Sequence, residues 1–339
     1  MIFDRKKLQE KLNILAKAYN PRTPMQSLQF IKFDNETLTV SDNNTTIIVK
    51  FKSDIQALIP FKQLSDIVNK LTADELDLTI SDKQVVIKCG RSCFTLNLGD
   101  FNEFPHFNVL NDIDGLKINC NAFINVISSI NYACSRDEKR PILTGVSFKD
   151  YAVATDSYRL ARFNNNLGLN CVINYNDINN LISLLKDYDS VLIRNNKNIA
   201  SFEFSDAIYQ TRLLDGNYPD TTKLISNDFN YNIKIDRIKL IESIERVNIF
   251  NEEYATIILD VYDGILTISS TANEVGKAKD LLECESNDNI KFACNGNYLK
   301  EAISKFKKDV IELKLISNMK PVTIQEDNMI ALVLPVKVE

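Results

Sequence analysis

The chain has 339 residues and is 45% hydrophobic and 25% charged, with a formal net charge of −5. Its length is too great for one compact core and suits two or three domains, and its composition is ordinary for a soluble globular protein. No apolar run approaches the length of a membrane span, and residues 1–20 are charged and lack a signal-peptide core. We therefore expect a cytoplasmic protein with no membrane partner.

The first predicted element is a helix whose apolar residues Leu8, Leu12 and Leu15 lie on one face. Its spacing recurs twice further along the chain, and a second apolar stripe, which follows a short strand, also occurs three times. Together the two patterns predict helices over 4–18, 61–71, 121–136, 174–187, 234–246 and 297–308. Because two independent markers agree, the chain contains a repeat close to one third of its length.

The segments between these helices alternate apolar and polar residues with the period of a half-buried strand. The alternation is clear in "TIIVKF" (46–51), "YRLARF" (158–163) and "TIILDV" (256–261), and pairs such as Asn-Asn and Ser-Asp mark the turns. The predicted fold class is α+β, with two helices in each third packed on antiparallel sheets of their own domain. We place the domains at 1–114, 115–229 and 230–339.

The cysteines and the single histidine do not indicate a metal or catalytic site. The seven cysteines are odd in number and accompany no export signal, so we expect reduced thiols. Cys89 and Cys93 have a spacing that a metal pair could use, but the residues between them are typical of a hairpin turn and no second pair completes a site. His106 is the only histidine and is interpreted as a loop residue. We predict no metal, no cofactor and no catalytic residue.

The charge is unevenly distributed. The predicted helices contain more Lys and Arg than Asp and Glu, whereas the rest of the chain is acidic, although the helices of the middle repeat are nearly neutral. If the helices line one surface, that surface attracts phosphate without reading base sequence. For any single helix, a solvated charged face explains the pattern equally well.

Four motifs then resemble those of one known family, the bacterial DNA polymerase III beta subunit or sliding clamp family. They are "RPILTGVSF" (140–148), "VATDSYRLARF" (153–163), "LLDGNYPD" (213–220) and "LVLPVKV" (332–338). The resemblance runs from end to end, and it implies three clamp domains and a head-to-tail homodimeric ring around double-stranded DNA. It further implies a noncatalytic processivity factor that tethers the replicative polymerase, the clamp loader and repair proteins, and that is nucleoid-associated during replication.

The resemblance also implies a pocket that takes short linear peptides from these partners. Its residues would be Leu143, Thr155, Ser157, Tyr158, Arg159, Leu160, Pro219, Lys223, Leu224, Leu332, Val333, Leu334, Pro335 and Val336. An apolar floor with a few polar groups at the rim suits a peptide with Leu or Phe anchors. From the residues alone, Leu143 and Leu160 are equally consistent with ordinary core positions. Ser157-Tyr158 and Lys223 replace the Gly-His and Arg that are frequent in the family, so we expect an altered peptide preference.

Two further contacts follow from the resemblance. The dimer interface would use Phe94 and Leu96 of one copy with Ile249 and Phe250 of the other, although all four could instead be core residues. The DNA contacts would come from two loops at equivalent positions of the repeat, and solvated loops remain an equal alternative. The candidate DNA contacts are Arg22, Arg136, Lys139 and Arg140.

Two other functions compete with the ring. A nuclease would need clustered carboxylates for metal ions, and Asp156 and Asp215 are isolated in their motifs. A monomeric peptide-binding adaptor would share the pocket but would not need basic helices or apolar edges. Its mass in solution would be that of one chain, which separates it from a dimeric ring.

Overall fold

The computed structural model describes residues 1–164, 167–250, 255–271 and 276–337, so Val338 of the last motif lies outside the described residues. Within these ranges there are six α-helices, two in each third of the chain, as the repeat predicts. They are α1 (Arg5–Leu15), α2 (Phe61–Lys70), α3 (Cys120–Ile130), α4 (Tyr175–Leu185), α5 (Arg237–Asn248) and α6 (Gly296–Ile303).

The helix ends differ from the predicted ones because of local capping. Helices α1 and α5 each begin after an aspartate, Asp4 or Asp236, whose carboxylate accepts a backbone N–H three residues later at 3.0 and 2.9 Å. The first helix therefore begins at Arg5, one residue later than predicted, and it is followed by a 3-10 turn over Ala16–Ala18. Helix α3 also ends early, because Asn131–Ala133 form a 3-10 turn.

The strands confirm the period-two segments. In chain order they are β1 (Ile2–Asp4), β2 (Phe30–Asp34), β3 (Thr37–Ser41), β4 (Thr45–Lys50), β5 (Gln56–Pro60), β6 (Glu75–Ile80), β7 (Gln84–Cys89), β8 (Ser92–Asn97), β9 (Leu116–Asn119), β10 (Gly145–Phe148), β11 (Ala152–Thr155), β12 (Arg159–Phe163), β13 (Cys171–Asn174), β14 (Ser190–Asn195), β15 (Ile199–Glu203), β16 (Ala207–Arg212), β17 (Tyr231–Asp236), β18 (Thr256–Tyr262), β19 (Ile265–Ser270), β20 (Lys279–Glu283), β21 (Glu285–Ser286), β22 (Ile290–Asn295), β23 (Val310–Leu315), β24 (Val322–Glu326) and β25 (Met329–Val333).

The chain forms two compact units, each with two antiparallel sheets. Unit 1 consists of residues 1–124 and 176–213. Its sheets have the strand orders β1-β6-β7-β8 and β5-β2-β3-β4-β16-β15-β14-β9. Unit 2 consists of residues 125–175 and 214–339. Its sheets have the orders β13-β10-β11-β12-β25-β24-β23-β17-β21 and β20-β19-β18-β22.

The larger sheets correct one expectation from the sequence. We expected each domain to keep its own sheets, but in unit 1 a strand of the first third, β4, pairs with β16 of the middle third. In unit 2, β12 of the middle third pairs with β25 of the last third. Backbone hydrogen bonds therefore join neighbouring repeats, and such long-range pairing leaves no local trace in the sequence.

The apolar stripes of the helices are buried as predicted. Leu8, Leu12 and Leu15 are at most 1% exposed. Cys89 and Cys93 flank the predicted hairpin turn, with Cys89 opposite Ser92 and Cys93 opposite Lys88, so the two thiols lie on opposite faces of the sheet and cannot share one metal ion. His106 lies in an exposed loop, as predicted. Among the described residues, no helix combines the length and apolar character needed to cross a membrane.

Candidate partner-binding groove

The turn between β11 and β12 is fixed by hydrogen bonds from its own residues. The Asp156 carboxylate accepts the backbone N–H groups of Tyr158 and Arg159, each at 2.9 Å. The Thr155 hydroxyl donates to the carbonyl oxygen of Arg159 at 2.6 Å, and Ser157 adopts a left-handed φ of 80°. The turn therefore has one defined shape, and it leaves the Tyr158 side chain 63% exposed.

Arg159 connects this turn to helix α6. Its side chain is 9% exposed and forms ion pairs with Asp156, at 2.9 Å between Nε and Oδ2, and with Glu301. Its guanidinium carbon lies 4.3 Å from the centre of the Tyr298 ring and 5.5 Å from that of Tyr132. Burial opposes the charged form, but the hydrogen bond that Arg159 donates to the Glu301 carboxylate and the negative charge of Asp156 outweigh it and raise the pKa of Arg159. Arg159 therefore stays positively charged and connects the turn to helix α6 through its ion pairs with Asp156 and Glu301.

An apolar cluster lies where β12 pairs with β25. It consists of Val153, Leu160, Ile330 and Leu332, with Tyr151, Tyr218 and Ile225 packed against it. Leu160 stands directly opposite Leu332 in the antiparallel pair. The Tyr218 hydroxyl accepts the backbone N–H of Thr155 at 3.0 Å, which ties the cluster to the turn. This buried surface can serve as the floor for an apolar side chain of a ligand.

The chain after β25 passes along the same turn. Leu334 donates its backbone N–H to the carbonyl oxygen of Tyr158 at 2.9 Å, and Val336 donates to a carbonyl oxygen of β22 at 2.8 Å. Pro335 forms an isolated antiparallel bridge with the same strand. The side chains of Leu334 and Val336 are 39% and 38% exposed. Backbone bonds therefore hold this segment while its apolar side chains remain accessible.

The segment before β17 contributes a third wall. The Asp220 carboxylate accepts the hydroxyl and the backbone N–H of Thr222 at 2.6 and 2.9 Å, and these bonds lower the pKa of Asp220. They begin the 3-10 turn that carries Lys223 and Leu224. Both of these side chains are exposed, Leu224 to 54%, and so is Pro219.

The predicted groove residues thus divide into a floor and a rim. The buried ones are Leu143, Leu160, Leu332 and Val333, and the exposed apolar ones are Tyr158, Leu224, Leu334 and Val336. Thr155 and Arg159 stabilise the turn that connects β11 and β12. The structure therefore brings together β12, β25 and the segment after β25, while the binding role of these residues remains a prediction.

Sequence reasoning missed several residues of this site. Tyr218 and Ile330 lie in or beside recognised motifs, so their apolar character next to "PD" and "LVLP" was an available signal. No sequence signal pointed to Glu301 and Tyr298, because their contacts with Arg159 join helix α6 to a turn more than 130 residues earlier in the chain.

Family models give an independent comparison. Models described as the N-terminal, central and C-terminal domains of the DNA polymerase III beta subunit match residues 1–108, 117–220 and 222–336. The chain belongs to this family. Proteins named "Beta sliding clamp" from Staphylococcus aureus and Staphylococcus epidermidis are each 28% identical to it, with 96% of both chains covered.

Solved beta subunits have the same fold. The DNA polymerase sliding clamp from Bacillus subtilis is 25% identical to the chain, has a TM-score of 0.93, and the match covers 100% of this chain and 99% of that one. The DNA polymerase III beta subunit from Pseudomonas aeruginosa is 21% identical to the chain and has a TM-score of 0.92. This match covers 99% of each chain and supports the fold alone. The beta subunit family is one of noncatalytic processivity factors.

Two of the candidate dimer residues lie on an edge strand, and the other two follow helix α5. Strand β8 is the last strand of its sheet, and its side chains Phe94 and Leu96 are half-buried between exposed neighbours. Ile249 follows helix α5 and is 77% exposed, whereas Phe250 is half-buried beside Gly276. Ile249 is therefore not a core residue, and an exposed apolar side chain of this size is consistent with an interface.

The candidate DNA contacts lie in exposed loops, but two of them have partners within unit 2. The guanidinium carbon of Arg136 is 3.2 Å from the centre of the Tyr175 ring, and Arg140 donates to the Ser157 hydroxyl at 3.2 Å. Arg140 therefore lies beside the turn of the groove. Arg22 and Lys139 are exposed and donate their backbone N–H groups within their own loops.

The positive charge of the helices is concentrated in the first third, where α1 and α2 together carry a net charge of +4, whereas α5 and α6 together carry +1. Helix α3 contains no charged residue, and Asp177 is the only one in helix α4. Helix α1 has four cationic side chains against one acidic, which are Arg5, Lys6, Lys7, Lys11 and Glu10. An attraction for phosphate would therefore be strongest beside α1.

Proposed function

We propose that two copies of this chain close head to tail into a ring around double-stranded DNA and act as the sliding clamp of DNA replication. The observation that carries the proposal is the match of three beta-subunit domain models to consecutive thirds of one chain. Each copy would supply three such domains, over residues 1–114, 115–229 and 230–339, so two copies supply six. A ring holds DNA by topology, so it needs weak, sequence-independent phosphate contacts and not a strong grip.

The groove around Tyr158 and Leu334 would receive short peptides of the replicative polymerase, the clamp loader and repair proteins. Its buried floor and exposed apolar rim suit one or two apolar anchor side chains of an extended peptide. Lys223 at the rim would attract acidic residues near the anchors. The clustering of Leu160, Leu332 and Ile225 on one continuous surface supports this assignment.

The ring would close through the edge strand that carries Phe94 and Leu96 and the segment at Ile249 and Phe250. Pairing an edge strand with another copy removes its unpaired backbone groups from solvent. Arg22, Arg136, Lys139 and Arg140 would contribute phosphate contacts. The protein would act in the cytoplasm, on the nucleoid during replication, without cofactor, metal or catalytic residue.

A primer-extension experiment tests the function. The replicative polymerase and clamp loader from the same source extend one primer on a circular single-stranded template, with and without this protein. We expect extension products to lengthen from short fragments to full circles only when the protein is present. Products of unchanged length would refute the processivity role. Sedimentation of the protein alone should give about twice the 38.6 kDa of one chain, and a mass of one chain would favour the adaptor.

A further inference from the structure

A polar cavity in unit 1 repeats the geometry of the partner-binding groove. The pairing of β4 with β16 places Thr46 opposite Gln210, as the pairing of β12 with β25 places Leu160 opposite Leu332. Beyond these pairs, Arg212 donates its backbone N–H to the carbonyl oxygen of Asn44 at 3.0 Å. Leu334 makes the same bond to Tyr158 in the partner-binding groove.

The connecting segments correspond as well. Gly99 donates its backbone N–H to Leu58 at 2.8 Å, and Leu214 donates to Val172 at 2.9 Å, in each case to the strand that precedes the second helix of the repeat. Pro105 then follows Gly99 in the chain as Pro219 follows Leu214. All three walls of the groove therefore have a counterpart in unit 1.

The counterpart encloses a cavity of about 280 Å³. Its lining consists of Asn43, Asn44, Thr46, Pro105, His106, Phe107, Asn108, Ile199, Gln210, Thr211 and Arg212. Where the partner-binding groove has Leu160, Leu332 and Leu334, this cavity has Thr46, Gln210 and Arg212. The volume is slightly below the range of drug-sized sites and fits two small residues of a peptide.

Gln210 has an unmet hydrogen-bonding requirement. It is 6% exposed, and its Nε2 donates to the carbonyl oxygen of Asn108 at 3.0 Å. Its Oε1 is buried and has no partner among the described residues. A buried acceptor without a donor is costly and rare in folded proteins. Because Oε1 itself is closed to solvent, an N–H or O–H group in the cavity reaches it only if the Gln210 amide turns towards the cavity that the residue lines.

Arg212 needs the opposite kind of partner, a hydrogen-bond acceptor. Its side chain is exposed and donates one long hydrogen bond, 3.4 Å from Nη2 to Oδ1 of Asn43. Within the described part of the chain, no carboxylate lies at ion-pair distance from it. A guanidinium with free donors is suited to a carboxylate.

Two acidic residues lie near the cavity but do not line it. The Asp42 carboxylate accepts the backbone N–H groups of Asn44 and Thr45 at 2.9 and 2.7 Å. The buried Asp177 carboxylate accepts the Thr45 hydroxyl at 2.8 Å and the Asn44 amide at 3.2 Å. Oδ1 of Asp42 and both oxygen atoms of Asp177 are therefore bound by the protein itself, and Arg212 is the one charged Lys, Arg, Asp or Glu residue among those that line the cavity.

We propose that this cavity is a second peptide-binding site, which takes a short segment that combines a carboxylate with a neighbouring N–H or O–H donor. The carboxylate binds Arg212, the donor binds Gln210 Oε1, and the ring of Phe107 packs against the intervening atoms. The site goes beyond the proposed clamp function and uses the partner-binding groove only as its counterpart in the repeat. Its polar lining selects a different peptide from the apolar one that fits the partner-binding groove.

The single histidine makes the site directly observable. His106 lines the cavity, and because the chain has one histidine, its imidazole Hε1 gives a single NMR resonance whose residue is already known. The probe is the dipeptide acetyl-Ser-Asp, with acetyl-Ser-Asn amide as the uncharged control. We expect a saturable shift of the His106 resonance at millimolar acetyl-Ser-Asp and at least tenfold weaker binding of the amide.

Variants identify the residues responsible. Gln210→Leu and Arg212→Leu, which introduce the residue found at the equivalent positions 332 and 334, should each weaken acetyl-Ser-Asp binding about tenfold. Arg212 is exposed, so its variant should fold even if Gln210→Leu does not. Tyr158→Ala, in the partner-binding groove, should leave the His106 titration unchanged while it reduces binding of a polymerase peptide. An unsaturable shift, equal binding of the amide, or wild-type affinity in the Arg212 variant would overturn the proposal, whatever the outcome at the partner-binding groove.

Discussion

Replacement of Arg159 by methionine tests how the partner-binding groove is held together. Methionine keeps an unbranched apolar stem between the rings of Tyr298 and Tyr132 but removes the charge that pairs with Asp156 and Glu301. Removal of one partner from a buried ion pair costs about 3–5 kcal/mol. Asp156 keeps two backbone N–H bonds and Glu301 is half exposed, so we expect a smaller loss of about 2–3 kcal/mol.

Hydrogen exchange of backbone amides in β12 measures this loss locally. A destabilisation of about 2–3 kcal/mol should accelerate exchange in the Arg159→Met variant about 30- to 150-fold. Strands β6 and β7 of unit 1 provide the internal reference. Arg162→Met is the matched control, because Arg162 lies in the same strand and stacks on the Tyr151 ring at 3.6 Å. Exchange within threefold of wild type, or an equal effect at Arg162, would refute the role of the buried ion pair.

Three further predictions concern the other sites. Deletion of residues 335–339 removes the Val336 side chain and the backbone hydrogen bond from Val336 to β22. Calorimetry should then detect no binding of a polymerase peptide, while the protein remains a dimer. Normal peptide binding would contradict the groove assignment. The Phe250→Asp variant should sediment as a soluble monomer, because it places an unpaired charge in an apolar contact. The control variant Phe250→Leu should remain dimeric. A dimeric Phe250→Asp variant would count against the interface. Burial of Asp177 raises its pKa above the ordinary value, despite the hydrogen bond from Thr45, so the stability of unit 1 should decrease as the pH rises from about 4 towards that raised pKa. Asp177→Asn should remove this slope in thermal unfolding, and an unchanged slope would show that another group is responsible.

Local patterns were sufficient to predict the helices and strands. The burial of Leu8, Leu12 and Leu15 follows from their spacing alone, since only one face of a surface helix packs on the core. The strand "YRLARF" is β12 of the structure for the same reason. Helix ends were less predictable, because Asp4 and Asp236 act as caps only once the preceding strand is in place.

Long-range pairing set the limit of sequence reasoning. Nothing near Thr46 or Leu160 indicates that the partner strand is contributed by the next repeat. The ion pair between Arg159 and Glu301 is hidden for the same reason. Arg140 illustrates the consequence: its loop position gave no sign that its guanidinium lies 3.2 Å from the Ser157 hydroxyl of the groove, and its contact with DNA stays a prediction. The family motifs located the groove residues because they mark positions in the fold that local propensity does not reveal.

The most direct test of the ring is the fate of loaded protein when its DNA is cut. The clamp loader places labelled protein on nicked circular plasmid, free protein is removed by gel filtration, and a restriction enzyme then linearises half of the sample. We expect the protein to stay with the circles and to leave the linear DNA within minutes, because open ends release an enclosing ring. Equal retention on both forms would show that the protein grips DNA by contact and would contradict the topological account.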